Sequence, residues 1–369
     1  CNLFAEGLAL DETLSAPNPE TTVECAVAHA RIEVRAGNND AALITLSKAL
    51  DVLDESPVQS VRLRVLVLSS LSQAYFRNDQ LTDAVDQLDQ MLTLLDNAGR
   101  GRTLLYQRFA ANKAVAQQEL GRTREALATF DELWRRSESS QFDGRGNAIQ
   151  LAQYADLLVD VGQFDRATET YSQAFEIADA TGYVRVAGAM QLGLAKASLG
   201  DSKLEAAREY LHAADTYITD GKPVGLAHGV RMRWAKLYRL EGDLDAARQA
   251  IDALLADLDY PASKKGSGLN KVLVEAAEIY RARKNYEQAV AFVDAVIDVL
   301  SAQSMDDSPG NLRLGKARLL RAWILFESDR HEQARIDLES SLPHLQHALD
   351  AGHPLLQQAA ELRQLIDDA

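Results

Sequence analysis

Histidines are the residues of this sequence whose type and spacing come nearest to a chemical site. His331, His344, His347 and His353 lie close together near the C terminus, and His344 and His347 share one face of a helix. Two such histidines could begin a metal site, but the carboxylate spacing that accompanies zinc ligands is missing. Exposed histidines on a helix surface are far commoner. We therefore expect neither a metal site nor a cofactor.

The sequence contains no motif for catalysis or nucleotide binding. A glycine-rich phosphate loop, a nucleophile elbow and a cysteine-rich metal motif are all missing from it. The acidic pairs Asp306-Asp307 and Asp367-Asp368 lie between helices and at the C terminus, where solvated carboxylates are the default. We predict that this chain is not an enzyme.

The composition narrows the class of partner. The 54 acidic and 39 basic residues give a net charge of −15, whereas nucleic-acid binding needs a basic face. No apolar run is long enough to cross a membrane. We therefore expect no nucleic acid and no membrane span within this chain. Only two cysteines occur, Cys1 and Cys25, and the sequence leaves open whether they form a disulfide.

The helices that would position a binding site follow a repeat, seen best from Leu120 to Leu133. Gly121 suits a helix C-cap, because a residue without a Cβ enters the left-handed region at little steric cost. Ala126, five residues later, is small enough to let two helices approach closely. Large apolar residues then recur at helical spacing, which indicates the buried stripe of a second helix.

The same order of residues returns eight times. Each unit has a turn residue, a small residue seven positions before it, and a second small residue, the marker, about five positions after it. The turn residues are Gly37, Asp79, Gly121, Gly162, Gly200, Gly242, Lys284 and Asp329, and the small residues before them are Ala30, Ser72, Ala114, Ala155, Gly193, Ala235, Ala277 and Ala322. The markers are Ala42, Ala84, Ala126, Ala167, Ala207, Ala247, Ala289 and Ala334, which lie 40 to 45 residues apart. In the fifth unit Gly200 precedes the pair Ala206-Ala207 with one residue inserted. A fixed period in this range indicates a solenoid.

This pattern resembles the tetratricopeptide repeat over about residues 20 to 350, with a period longer than the roughly 34 residues usual for that family. The resemblance implies an all-α fold, a right-handed α-α superhelix of about eight helical hairpins. We expect an N-terminal capping helix over 1–19, a solenoid over 20–350 and a C-terminal capping helix over 351–369. The repeats are expected at about 20–56, 57–98, 99–140, 141–181, 182–221, 222–262, 263–305 and 306–350.

In tetratricopeptide superhelices the first helix of each unit lines the concave face, so the resemblance implies a binding groove. Its positions are Arg31, Arg35, Gln73, Arg77, Arg108, Asn112, Gln153, Asp156, Lys236, Arg239, Lys271, Arg281, Lys316 and Trp323, with Gln118, Asp160 and Gln191 beside them. Most of these residues are basic in a chain that is acidic overall, which is the pattern expected of electrostatic steering. Solvated faces of long helices would look the same, and both interpretations stay open.

Three longer phrases look like the repeat region that follows the catalytic domain in bacterial membrane-anchored serine/threonine kinases of the eukaryotic-like type. They are Asn112–Ala116 with Leu120–Ala126, Gln153–Leu158 with Val161–Gln163, and Leu342–Leu345 with Gly352–Leu355. The chain itself has no kinase motif, so a kinase domain could lie upstream. This resemblance implies the regulatory part of a bacterial signalling protein working in the periplasm; the alternative compartment is the cytoplasm.

We therefore predict a non-catalytic interaction domain that binds an extended peptide or protein segment, acidic or phosphorylated, in its concave groove. The alternative is a helical-repeat domain of a transcriptional regulator that senses a small effector, with a pocket near Trp234 or Trp323. The sequence leaves open the identity of the partner and the oligomeric state.

Overall fold

The structure, a computed structural model, describes residues 18–57, 59–78, 80–137, 145–219, 222–261, 268–303 and 311–369. These residues form helices α1 (Pro19–Ala36), α2 (Asn39–Glu55), α3 (Val61–Arg77), α4 (Leu81–Asn97), α5 (Leu104–Glu119), α6 (Thr123–Ser137), α7 (Arg145–Asp160), α8 (Phe164–Ala180) and α9 (Val184–Gly200). They continue with α10 (Leu204–Asp215), α11 (Val224–Glu241), α12 (Leu244–Asp257), α13 (Leu269–Ala282), α14 (Tyr286–Gln303), α15 (Leu312–Glu327), α16 (His331–Ala348) and α17 (Pro354–Asp368). Residues 1–17, most of the predicted N-terminal capping helix, lie outside the described residues.

The chain divides into two compact units. Unit 1 comprises Cys1–Leu120 and Ala128–Gln141, and unit 2 comprises Gly121–Leu127 and Phe142–Ala369. Within unit 1, α1 packs on α2 and α3 packs on α4; within unit 2, each pair from α7–α8 to α15–α16 packs in the same way. The first helices of successive pairs also contact one another, from α7 to α15 in unit 2. The predicted all-α superhelix of helical hairpins is confirmed, while the repeat boundaries and the capping roles stay predictions.

Polar residues define where several first helices begin. The side chains of Ser60, Thr103 and Asn311 each accept a hydrogen bond from a backbone N–H in the first turn of α3, α5 and α15, respectively. Asn18 does the same for α1. Such caps satisfy N–H groups that have no partner inside the helix. None of the described helices is both long and apolar enough to cross a bilayer.

The spacing of small residues controls how closely the helices pack. All eight marker alanines are fully buried. Positive φ angles occur at the predicted turn residues Gly37, Gly121, Gly162, Gly242, Lys284 and Asp329, while Asp79 lies outside the described residues. The repeat pattern therefore describes a real packing rule, with a small residue where two helices meet and a left-handed residue where the chain reverses.

The fifth hairpin departs from the predicted register. Its left-handed residue is Ser202, with a φ of 58°, whereas Gly200 is still part of α9. Ser202 lies seven residues after the fully buried Ala195 and five before Ala207, which is the spacing of the other repeats. The assignment of Gly193 and Gly200 was therefore wrong by two residues, and no residue is inserted. Gly200 is small for another reason, since a Cβ there would overlap the ring of Phe164.

From α9 to α17, the described core residues of unit 2 form successive clusters along the chain. The first includes Leu211 and Leu237 between α10 and α11, and the second includes Ile251 and Val293 between α12 and α14. The third joins α15 and α16 to α17, whose Leu362 is fully buried. The core therefore grows along the chain, as expected when each hairpin packs mainly on its neighbours.

Candidate functional site

The first helices of unit 2 present one row of side chains at equivalent positions. Each lies directly after the small residue at the helix crossing, and the row is Asp156, Lys196, Lys236, Glu278 and Trp323. We call the surface formed by this row and the adjacent turns of α7, α9, α11, α13 and α15 the unit 2 groove. Lys196 belongs to it although the sequence analysis missed this residue, because the register was taken from Gly200.

Asp156 and Lys196 form the best-defined polar contact of the unit 2 groove. The Lys196 ammonium lies 2.6 Å from Asp156 Oδ1 and 3.6 Å from Asp160 Oδ1. The Tyr171 hydroxyl donates to the same Asp156 oxygen at 2.8 Å. Burial opposes ionisation of Asp156, but the charge of Lys196 outweighs it and holds the pKa of Asp156 below its ordinary value. Asp156 and Lys196 are therefore both charged and neutralise each other.

Gly193 makes this contact possible. A Cβ on Gly193 would overlap the ring of Tyr171, which is itself almost completely buried. The glycine therefore lets the Tyr171 ring lie beneath α9 with its hydroxyl directed at Asp156. The sequence analysis gave Gly193 the place of the small residue before the turn. That place belongs to Ala195, and Gly193 is small because the Tyr171 ring packs against it.

Unit 2 also closes on itself, because α15 returns to the start of the unit. Lys316 on α15 donates to the backbone oxygen of Asp160 on α7 at 3.0 Å. Arg122 and Asn311 form an antiparallel β-bridge. A Cβ on Gly121 would lie 2.5 Å from the Cα of Asn311, so this approach excludes every larger residue. The last of the first helices of unit 2 is therefore in contact with the beginning of the unit.

The charges where α15 meets α7 are partly compensated. Burial opposes ionisation of Asp160, but Lys196 and then Lys316 hold the pKa of Asp160 well below its usual range. The pKa of Lys316 is lowered because burial of its ammonium outweighs the attraction of Asp160. Lysine charge is thus concentrated around one acidic pair.

Two predicted lysines of the unit 2 groove have no ionic partner. Neither Lys236 nor Lys271 forms a hydrogen bond or an ion pair with any residue that the structure describes. Burial lowers the pKa of Lys236 to about 8, with the attraction of Glu275 too weak to restore it. Burial and then the charge of Lys196 lower the pKa of Lys271. In both lysines the nearby carboxylates therefore compensate the cost of burial only in part.

The predicted arginines of the unit 2 groove behave differently, because acids neutralise them. Arg239 donates to Glu275 at 2.8 Å. Arg281 donates to both carboxylate oxygens of Glu327, at 2.6 and 3.0 Å, and its guanidinium lies 5.3 Å from the centre of the Trp323 ring. These arginines are structural links between neighbouring first helices and contribute little free positive charge.

A cavity of about 380 Å³ opens on the unit 2 groove between α7, α9, α11 and α13. Its charged lining comprises Asp156, Lys196, Arg233 and Lys271, and His228 lies beside them. Sequence analysis did not select Arg233, which directly precedes Trp234 on α11 and which only the tertiary structure places at the cavity. A volume of this size falls in the range of roughly 300–1,000 Å³ typical of small-ligand sites.

The tryptophans flagged in the sequence lie away from this cavity. Trp234 donates to Asp215 at 3.0 Å, and its ring stacks on Tyr238 with centroids 5.7 Å apart. Trp323 contacts Phe326 edge to face. Neither tryptophan lines the cavity described above. Among the described residues, no group of three or more potential metal ligands is found.

The remaining predicted groove residues belong to unit 1, with the exception of Gln153. In unit 1, the exposed side chains are those of Arg31 and Arg35 on α1, Gln73 and Arg77 on α3, and Arg108 and Asn112 on α5. Its four arginines form no ion pair with a described residue. In unit 2, Gln153 is half-buried on α7, one turn before Asp156. Unit 1 therefore carries a basic surface of its own.

Comparison with known structures identifies the fold. A Rap protein complexed with competence and sporulation factor superposes with a TM-score of 0.58 at 16% identity, over 95% of this chain and 99% of its own. The apo form of RapI superposes with a TM-score of 0.53 at 13% identity, over 94% of this chain and 99% of its own. The Cut9–Hcn1 hetero-tetramer of APC/C gives 0.50 at 14% identity, over 93% of this chain and 55% of the other.

No family model matches the sequence, and no curated protein matches it significantly. At these identities the likeness to solved structures shows the fold alone. Together with the helix order and the repeat spacing, it shows an α-α superhelix of the tetratricopeptide type.

Proposed function

We propose that this chain is a non-catalytic binding domain that holds an extended, acidic segment of a partner protein in the unit 2 groove. The observation that carries this proposal is Lys236, a buried ammonium group without an ionic partner among the described residues. Lys271 repeats the arrangement on the next first helix.

An uncompensated buried charge lowers the stability of the folded state. Residues that act against stability are common where function requires them. An acidic segment lying along the groove would supply the missing partner for both lysines, and the cationic groove would attract it over a distance. The acidic chain as a whole would repel such a segment, so binding would be confined to the groove.

The structural neighbours support a role in binding. The Rap protein with the highest TM-score given above carries competence and sporulation factor, and Cut9 assembles with Hcn1. Both superpose on this chain, with TM-scores of 0.58 and 0.50. We infer the same type of activity for this chain, with a polypeptide segment as the bound species.

Selection from a displayed library of random peptides tests the proposal. We expect the selected peptides to be enriched in aspartate and glutamate. One of them, fluorescently labelled, is then titrated with wild type and with the Lys236→Met, Lys271→Met double variant. A charge-assisted hydrogen bond contributes at least about 1.5 kcal/mol, so the loss of two such bonds should weaken binding by the double variant at least about a hundredfold.

The matched control is the Lys48→Met, Arg102→Met double variant, which removes two exposed charges outside the groove. It is expected to bind like wild type. Added salt should weaken binding by wild type. Peptides without acidic enrichment, or equal affinities for the two double variants, would overturn the proposal.

A second candidate function is the sensing of a small effector, which the cavity of about 380 Å³ favours. Such a ligand would raise the melting temperature of the protein in a concentration-dependent manner that salt hardly changes. A metabolite screen by thermal shift tests it. A screen without a stabilising compound, beside an acidic peptide that binds, would exclude this alternative.

We also propose, on the resemblance to the repeat region of bacterial serine/threonine kinases, that the chain is the regulatory part of a signalling protein in the periplasm. The full open reading frame is the test. A kinase domain and a membrane helix upstream of residue 1 would support the proposal, and their absence from the reading frame would overturn it.

A further inference from the structure

The charged groups around the unit 2 cavity do not balance. Asp156 is the acid among the lining residues, and its Oδ1 already receives Lys196 at 2.6 Å and Tyr171 at 2.8 Å. The negative charge of Asp156 is therefore already neutralised by a group of the protein itself. Two further cations, Arg233 and Lys271, line the same cavity.

Arg233 provides the second observation, a buried donor without an acceptor. Its Nε is inaccessible to solvent and has no hydrogen-bond partner. The guanidinium also forms no ion pair with any residue in the described part of the chain. A buried N–H group without an acceptor is rare in folded proteins, because it has lost its bonds to water and gained none. An acceptor supplied from outside would satisfy it.

Small residues leave the space that such an acceptor needs. Ala152, Ala189 and Gly225 line the cavity on α7, α9 and α11. At Gly225 a Cβ would meet no heavy atom within 4 Å, so the space beside it is open. The cavity consequently combines room for a charged group with two cations that lack a counter-charge.

We infer that this cavity is a subsite for an oxyanion, a carboxylate or phosphate group, which Arg233 and Lys271 bind together. The planar guanidinium offers the geometry that carboxylates and phosphates accept, and the lysine adds a second positive charge. This inference rests on the proposed function when the oxyanion belongs to the bound polypeptide segment. A small free anion would have the same chemistry, and the experiment separates the two sources.

The test uses an acidic peptide selected as described above, a set of its single Glu→Gln forms, and inorganic phosphate and succinate as free anions. The variants are Arg233→Gln, which removes the charge, and Gly225→Leu, which fills the open space. Arg102→Gln, outside the cavity, is the control. Melting temperatures without ligand establish that each variant is folded. Because Arg233→Gln removes an unpaired buried charge, its melting temperature should not be lower than that of wild type.

Both cavity variants are expected to bind the parent peptide with about tenfold lower affinity than wild type, whereas Arg102→Gln should bind it as tightly as wild type does. One of the Glu→Gln peptides should bind to wild type about tenfold more weakly than the parent peptide does. Its affinity for Arg233→Gln should be the same as its affinity for wild type. Such a non-additive pair places that glutamate in the cavity.

The remaining outcomes separate this inference from the proposed function. If acidic peptides bind but Arg233→Gln leaves every affinity unchanged, the subsite is wrong and the groove function stands. If no peptide binds, while phosphate or succinate stabilises wild type and not Arg233→Gln, the subsite holds a free anion and the groove function is wrong. If neither anions nor peptides depend on Arg233, the subsite is overturned.

Discussion

Lys196 and Lys236 occupy the same register position on neighbouring helices, but their surroundings differ. Lys196 forms an ion pair with Asp156 at 2.6 Å, whereas Lys236 has no ionic partner among the described residues. We predict that methionine, which has a similar length and no charge, changes stability in opposite directions at the two positions. Lys236→Met should stabilise the protein, and Lys196→Met should destabilise it.

The magnitude for Lys236 follows from its pKa. Burial lowers this pKa from 10.5 to about 8. At about 1.4 kcal/mol per pH unit, keeping the ammonium charged in the folded state at pH 7 costs about 3 kcal/mol. Methionine removes this cost, so Lys236→Met should raise the free energy of unfolding by up to about 3 kcal/mol at pH 7.

The sign of the pH dependence is fixed by the direction of the change. Because the folded-state pKa of Lys236 is below the unfolded-state value, the unfolded chain binds more protons between about pH 8 and pH 10.5. The stability of wild type therefore rises with pH in this window. The advantage of Lys236→Met should fall to about 1 kcal/mol at pH 10.

Lys196→Met removes the partner of two carboxylates. Loss of one member of a buried ion pair costs about 3–5 kcal/mol, but half of the Asp156 side chain is accessible, so we expect about 1–2 kcal/mol. The pKa values of Asp156 and Asp160 are both lowered in the folded state. The lower stability of Lys196→Met relative to wild type should therefore be present at neutral pH and shrink as the pH falls below about 4.

Urea denaturation followed by helical circular dichroism measures both effects, since urea does not screen charges. Lys203→Met is the control, because Lys203 also contacts two carboxylates, Asp201 and Asp165, but its side chain is 58% accessible. The Lys203→Met variant should be as stable as wild type. The reasoning is refuted if Lys236→Met destabilises the protein, if its gain is the same at pH 7 and pH 10, or if Lys196→Met and Lys203→Met behave alike.

Two further substitutions test the packing of unit 2. Gly121→Ala should lower the melting temperature more than Gly242→Ala does. Both glycines have a positive φ, but only at position 121 would a Cβ lie against the backbone of Asn311. Thermal melts of the two variants measure the difference. Equal losses would mean that α15 does not rest on this turn. Gly193→Val should cost about 1–3 kcal/mol in urea denaturation, because the new side chain must displace the buried ring of Tyr171. Unchanged stability in that variant would contradict the close packing of the ring against α9.

The error at the fifth repeat shows where sequence reasoning reached its limit. Gly200 looked like a turn residue because glycine is the usual left-handed residue, yet the chain turns at Ser202. Gly200 is required by the ring of Phe164, which belongs to a different helix. A glycine in a sequence does not show whether its backbone or its missing side chain matters. The two-residue displacement removed Lys196 from the predicted site.

The charge pattern of the predicted groove was equally ambiguous. Arg239 and Lys236 looked equivalent in the sequence, but Arg239 is neutralised by Glu275 on the following first helix. Lys236 lies one turn earlier and forms no ion pair with any acid that the structure describes. Which basic residues are free for a ligand depends on the residues that other repeats place opposite them.

The sequence by itself determined the helical solenoid, because that fold is built from short-range rules. A small residue at each crossing, a left-handed turn and an apolar stripe all act within one repeat or between adjacent repeats. Only the tertiary structure decided the site. Lys196 and Asp156 are 40 residues apart, and Lys316 and Asp160 are 156 residues apart. Small rotations between successive hairpins add up over the repeats, and their sum decides which distant side chains meet.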